Sequence, residues 1–237
     1  MIYIDAGHGG TDSGAVSNGV KESKINVAVS NYLAKELQQQ GIAYLCCRTN
    51  DATSKTVAER VNEANNYGAK IYISLHCNSS DKPEPNGTQT YIYKFGGEAE
   101  KIATKIQVRL QPINGVSKWE RVEDENFYVL RKTTMPAVLV EMGFISNEID
   151  RKYLNDANNQ KYIAKEICKG VCDYLNIKYK EEQKMDYNGH WAEKAIKEMI
   201  DKKIMVGDGD GNFRPNDNIT RAEVAQTISN LLDYLGK

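Results

Sequence analysis

From residue 1 to about residue 176, short apolar runs alternate with longer segments of helical period. Residues 2–5, 42–47, 70–75, 88–93 and 137–141 read as strands. Residues 22–40 place Ile25, Val29, Leu33 and Leu37 at helical spacing, and Gly41 closes the helix. Residues 56–66, 98–111 and 157–175 read as further helices, the second stopped at Pro112. Ile102, Ile106 and Leu110 point inward on it, as do Ile163, Ile167, Val171 and Tyr174 on the third. Such alternation predicts an α/β layer fold, a mainly parallel twisted sheet with helices on both faces. A small all-α module is expected at the C-terminus.

In such a sheet, ligands bind beyond the carboxyl ends of the strands. His8, His76 and Glu141 all fall at those ends, so one crevice could hold them. Glu141 sits in the most apolar run of the chain, residues 136–144, where a carboxylate is expensive to bury without a partner. A metal centre would supply one. Catalytic zinc takes three protein ligands and leaves a fourth position open, and His8, Glu22 and His76 offer a His₂Glu set. Imidazole and carboxylate suit zinc better than calcium or magnesium. Bound zinc acidifies water and polarises a carbonyl, and Glu141 would take up and pass on the proton. The glycines around His8 let the backbone approach closely. Spacing alone leaves the bland alternative open, in which these are satisfied core or rim residues.

Other classes fall away on composition. The net charge is −1, and residues 177–237 hold ten Lys/Arg against eleven Asp/Glu, so no region carries a nucleic-acid footprint or a basic membrane-binding tail. The longest apolar stretch is broken by Glu141 and falls short of the ~20 residues that span a bilayer. No basic n-region or cleavage site opens the sequence. The expectation is synthesis in the cytoplasm and release by lysis, or secretion with a leader outside this sequence. The five cysteines include no C-x-x-C pair, which argues against a thiolate zinc site and for small buried residues.

The motifs are more specific than the spacing. Ala6-Gly7-His8-Gly9-Gly10, then Asp12-Ser13-Gly14-Ala15, then Glu22, resembles the opening of the zinc-dependent N-acetylmuramoyl-L-alanine amidases of autolysin and endolysin type. Arg60-Val61-Asn62-Glu63-Ala64-Asn65 matches that family's helix motif, and Ser74-Leu75-His76-Cys77-Asn78 its second histidine motif. Val140-Glu141-Met142-Gly143-Phe144-Ile145-Ser146-Asn147 matches its glutamate motif. The resemblance implies zinc on His8, Glu22 and His76, with Glu141 as catalytic acid/base. Asp12 and Asn78, within these motifs, are candidate substrate-binding residues. Cys77 departs from the usual small residue and could offer a stray thiolate.

Residues 177–186 are charged, lack a core pattern and read as a linker. Residues 187–237 then predict two helices. Residues 191–203 put Ala195, Ile196, Met199 and Ile200 inward, and residues 220–234 carry Val224, Ile228, Leu231 and, just past the end, Leu235 on one face. Thr220 and Glu223 fit a capping box. This tail resembles a single S-layer-homology repeat, through His190-Trp191-Ala192, Asp210-Gly211-Asn212-Phe213-Arg214-Pro215 and Ile219-Thr220-Arg221-Ala222-Glu223. Such repeats bind secondary cell-wall polysaccharide, usually as a set of three. Trp191 and Arg221 are the candidate wall-binding residues, weighed against Trp191 as core and Arg221 as solvated; His190 reads as structural. One repeat per chain implies weak anchoring unless chains associate through their tails into a homo-oligomer. Asp208 to Asn212 imitates a calcium loop, but Phe213 and Ile219 stand where Gly and Glu are needed.

The sequence therefore predicts a peptidoglycan hydrolase that cuts the amide between N-acetylmuramic acid and L-alanine, of phage or prophage endolysin type, with zinc as cofactor and neither nucleic acid nor membrane as partner. Domains are expected at 1–176 and 187–237. The rivals are a zinc peptidase cutting within the stem peptide and a non-catalytic wall-binding protein with structural zinc.

Overall fold

The five expected strands fall into one sheet, joined there by a sixth. The computed structural model describes residues 1–110, 121–181, 185–208 and 212–236. Pro112, and residues 209–211 of the calcium-like loop, lie outside them. Two units form, Met1–Lys180 and Glu181–Lys237.

In chain order the first unit runs β1 (Ile2–Ala6), β2 (Val16–Ser17), β3 (Val20–Lys21), α1 (Glu22–Gln39), β4 (Tyr44–Cys46), α2 (Val57–Asn66), β5 (Ile71–Asn78) and β6 (Gln89–Ile92). It continues with α3 (Glu98–Leu110), β7 (Arg121–Asp124), α4 (Tyr128–Lys132), β8 (Ala137–Phe144), α5 (Glu148–Leu154) and α6 (Ala157–Leu175). The sheet order is β4-β1-β5-β8-β6-β7. All neighbours are parallel except β6 against β8. Side chains alternate across the strands, so Ile2, Ile4, Ile71, Ile73 and Leu75 join the cluster of α1, α3 and α6. Tyr3 and Tyr72 turn the other way, toward Val61 and Ala64 of α2 and Val129 and Leu130 of α4. The helices cover both faces, as predicted.

Local chemistry fixes the ends. Thr56 and Glu59 form a capping box at α2. Asp156 caps α6, and Asn176 closes it in the left-handed region at φ +54°. The start of α1 has no side-chain cap; Glu22 N and Ser23 N donate instead to the carbonyls of Ala15 and Ser13. The glycine loop after β1 is thereby tied to the helix. Tyr179 donates to Glu36, and Lys180 exchanges hydrogen bonds with Gln40, so residues 177–180, expected in the linker, lie against α1.

Two strands outrun their expected ends by three residues. β5 reaches Asn78 and β8 reaches Phe144, so His76 and Glu141 stand inside strands, paired in register. A polar side chain ends an apolar run in the sequence but not the backbone ladder. The β2–β3 hairpin, β7, α4 and α5 were not legible, being two to seven residues long.

The second unit has α7 (Glu193–Asp201) and α8 (Arg221–Tyr234), the latter with the expected capping box. Asp186 accepts from Phe213 N and Arg214 N. His190 accepts from Ala192 N at 3.1 Å and lies 3.3 Å from Asn216 Oδ1, a structural role. One expectation fails here: Ala195 points outward. Trp191 is 91% exposed, which sets aside its reading as core, and α8 buries no residue although Val224, Ile228, Leu231 and, just past its end, Leu235 are apolar. A unit of roughly 50 residues has too little chain to wrap both helices.

Candidate active site

After β1 the chain turns through Gly7 into His8, which takes φ +62°, a conformation side chains rarely adopt. The His76 ring lies over Gly7 so closely that a Cβ there would come within 2.3 Å of its Nε2. At Gly14 a Cβ would meet Glu22 Oε2 at 2.5 Å. The glycines around His8 make room for the other two candidate ligands.

Glu22 is buried at the start of α1, and its carboxylate is the hub. Oε2 accepts from Ala15 N at 2.9 Å. Oε1 accepts from Cys77 N at 3.0 Å and Asn26 Nδ2 at 3.3 Å, and lies 2.9 Å from His76 Nδ1 and 3.3 Å from His8 Nε2. The β1–β5 ladder ends at Ala6 and Leu75, so Cys77 N, on the β1 side of β5 and past that end, is free to turn to the carboxylate. One ligand atom from each of His8, Glu22 and His76 lies within 4.8 Å of the others.

Asp12 Oδ2 lies 2.8 Å from His8 Nδ1, and its other oxygen accepts from Gly14 N. Expected to bind substrate, Asp12 is placed where it orients the imidazole and leaves Nε2 facing Glu22. A carboxylate behind a histidine is the usual outer shell of a metal ligand. Asn78 donates to Gln89 Oε1 at 2.8 Å, and Gln89 pairs in register with Glu141.

Burial would raise the Glu22 carboxyl, but His76 and His8 hold it well below the usual range. Burial would likewise lower His8, yet Glu22 and Asp12 draw it up to about 9. Glu141 goes the other way. Burial pushes its carboxyl up to about 7 against the pull of His76, and its Oε2 is buried without a hydrogen-bond partner. Two imidazole nitrogens and a carboxylate oxygen at mutual reach, beside an orphaned acceptor, fit a catalytic divalent metal and its water. Cys77 offers no thiolate: burial pushes its thiol well up, and it packs in the core on the opposite sheet face from His76.

Sequence reasoning missed two residues. Asn26, four after Glu22 on the same helix face, bonds both Glu22 and the Gly7 carbonyl; the spacing was the available signal. Arg48 binds backbone carbonyls, partners that leave no trace in a sequence.

The family model for N-acetylmuramoyl-L-alanine amidase matches residues 2–173. The chain belongs to that family. As a member it is a peptidoglycan amidase, a hydrolase rather than a binding module alone. The amidase is 35% identical over 176 residues to LytC, an N-acetylmuramoyl-L-alanine amidase of Bacillus subtilis, a match covering 73% of this chain and 35% of LytC. It is 30% identical over 188 residues to the endolysin of Bacillus phage SPP1, covering 76% and 68%. The solved catalytic domain of CwlV, from Bacillus (Paenibacillus) polymyxa var. colistinus, superposes with a TM-score of 0.70 at 34% identity, covering 75% of the amidase and 98% of that domain. A model for the S-layer homology domain matches residues 186–225, the region holding His190, the exposed Trp191 and the exposed Arg221.

Proposed function

We propose that the amidase hydrolyses the bond between the lactyl group of N-acetylmuramic acid and L-alanine, with zinc held by His8, Glu22 and His76 and Glu141 as the proton-transfer group. The observation that carries this reading is the three-ligand cluster, its donor atoms within 4.8 Å, with His76 paired in register with Glu141, whose buried Oε2 has no partner. At such a set zinc supplies Lewis acidity, polarising the scissile carbonyl and acidifying water.

The residues of the chain do the rest. Asp12 and Glu22 fix the tilt of His8, while Ala15 N, Cys77 N and Asn26 hold the Glu22 carboxylate in place. Glu141 takes a proton from the attacking water on Oε2 and returns it to the departing nitrogen, which leaves as the free amine of L-alanine. Burial opposes a standing charge on Glu141, which suits a carboxylate that must both accept the proton and give it back. Three protein ligands plus a separate carboxylate favour catalysis over a structural site, where protein usually closes all four positions.

The tail is read as an attachment to cell-wall polysaccharide, with Trp191 and Arg221 as contact residues; their exposure supports this. The uncovered apolar face of α8 supports self-association through the tail. Among the described residues no helix is long and apolar enough to cross a membrane. A phage endolysin among the relatives supports a lytic role.

Digestion of purified peptidoglycan decides the reaction. The expected product carries a new N-terminal L-alanine and no new reducing sugar. A new amine within the stem peptide would mean a peptidase instead. Light scattering should find the full-length protein larger than one chain at micromolar concentration; a monomer would remove the self-association.

A further inference from the structure

Arg48 lies two residues past β4, its side chain wholly buried, and its nearest carboxylate is Asp51 at 3.6 Å. A guanidinium in such a place is costly unless its donors are satisfied. Here they meet backbone carbonyls from three segments. Nε donates to Ala6 O at 3.0 Å and Nη2 to Gly7 O at 2.8 Å, the two peptides before His8. The same Nη2 donates to Ser23 O at 2.9 Å, the residue after Glu22, and Nη1 to Asn50 O at 3.0 Å. A Cβ on Gly9 would meet Nε at 2.8 Å, so the plane of the guanidinium also lies against the far side of the His8 turn.

We propose that Arg48 is a positioning residue for the metal centre: one rigid fork spans the turn that carries His8 and the helix start that carries Glu22, and so sets the separation of those two ligands. The inference rests on the reading of His8, Glu22 and His76 as metal ligands. Lysine cannot substitute, because an ammonium is a point charge on a flexible stem and lacks the planar array of five donors. The fork also explains how His8 is kept at φ +62°: the carbonyls on its N-terminal side are pinned before the chain turns.

The test is zinc affinity in the full-length protein, measured by competition with a chromophoric chelator for wild type, Arg48→Lys, Arg48→Met and Ile167→Ala. Ile167 is a fully buried core residue of α6 outside the site, so its variant reports what lost stability alone does to binding. Outer-shell partners of metal ligands are worth about 10–100-fold in affinity. The expected result is a loss of that size for Arg48→Met and a smaller but clear loss for Arg48→Lys. Ile167→Ala should bind as wild type does. Cobalt-loaded Arg48→Lys should also show a shifted visible spectrum, since cobalt bands report ligand geometry. If Arg48→Met does not fold, Arg48→Lys carries the decision alone. Wild-type affinity and an unshifted cobalt spectrum in Arg48→Lys would overturn the proposal, as would an equal affinity loss in Ile167→Ala. Absence of zinc binding by the wild type would instead overturn the metal centre on which it rests.

Discussion

In residues 1–180 both faces of the sheet are covered, and Leu33, Ile106 and Ile167 are wholly buried; in the tail, none of the fourteen residues of α8 is buried. Both regions contain amphipathic helices with good caps. Their difference is what the helices have to pack against. A six-stranded sheet offers two apolar faces, and each helix of the first unit finds one. Two helices and a loop offer no such surface. The closed core also permits the chemistry: a half-buried Glu141 with a buried, partnerless Oε2, beside a strained His8, persists only where the surroundings over-determine it. Caps and period create helices, but a rigid site needs the sheet.

The largest effect that would sharpen this contrast is on Glu141. Glu141→Gln keeps the shape and removes the base, so turnover should fall by ~10²–10⁴-fold, about 3–5 kcal/mol, with circular dichroism unchanged. Near-normal turnover would remove Glu141 from the chemistry. Next comes the core itself. Ile167→Ala empties a closed site and should destabilise the first unit by about 2–5 kcal/mol in denaturant titration. A cost near zero would mean that the core is not as closed as described.

A smaller effect follows from the raised carboxyl of Glu141, at about 7 against an ordinary 4.5. Between those values the folded state binds a proton that the unfolded state has lost. Metal-free protein should therefore be most favoured at this site below pH 4.5 and lose stability as the pH rises to about 7. Glu141→Gln carries no such burden. Relative to wild type it should gain up to about 3 kcal/mol by pH 8, at roughly 1.36 kcal/mol per unit, and nothing near pH 4. A pH-independent difference would contradict the desolvation argument. The smallest effect belongs to the tail. In dilute protein Leu231→Ala should change stability by no more than ~0.5 kcal/mol, because the side chain is exposed. A core-sized loss there would break the comparison and show that the α8 face is covered in solution.

The main elements were legible because their patterns are long. Ile25, Val29, Leu33 and Leu37 mark one helix face, and unbroken strands such as Ile71–Leu75 mark a sheet buried on both sides. His8, Glu22, His76 and Glu141 were legible as a group from strand position and motif together. What stayed hidden is geometry without a side-chain signature. The backbone caps from Ser13 and Ala15, the Cys77 N–H left free beyond the end of β1, and the Arg48 fork all use main-chain groups. The sequence left Trp191 between core and surface because apolar character in a short unit does not decide whether anything covers it.

The most direct test of the central claim measures zinc per chain and amidase activity together, in wild type, His76→Ala and Glu141→Gln. Three ligands leave no redundancy, whereas Glu141 binds through none of the three positions. Wild type should hold about one zinc and be active; His76→Ala should lose both metal and activity; Glu141→Gln should keep its zinc and lose only activity. Full zinc occupancy in His76→Ala, or loss of zinc in Glu141→Gln, would contradict the assignment of ligands and base.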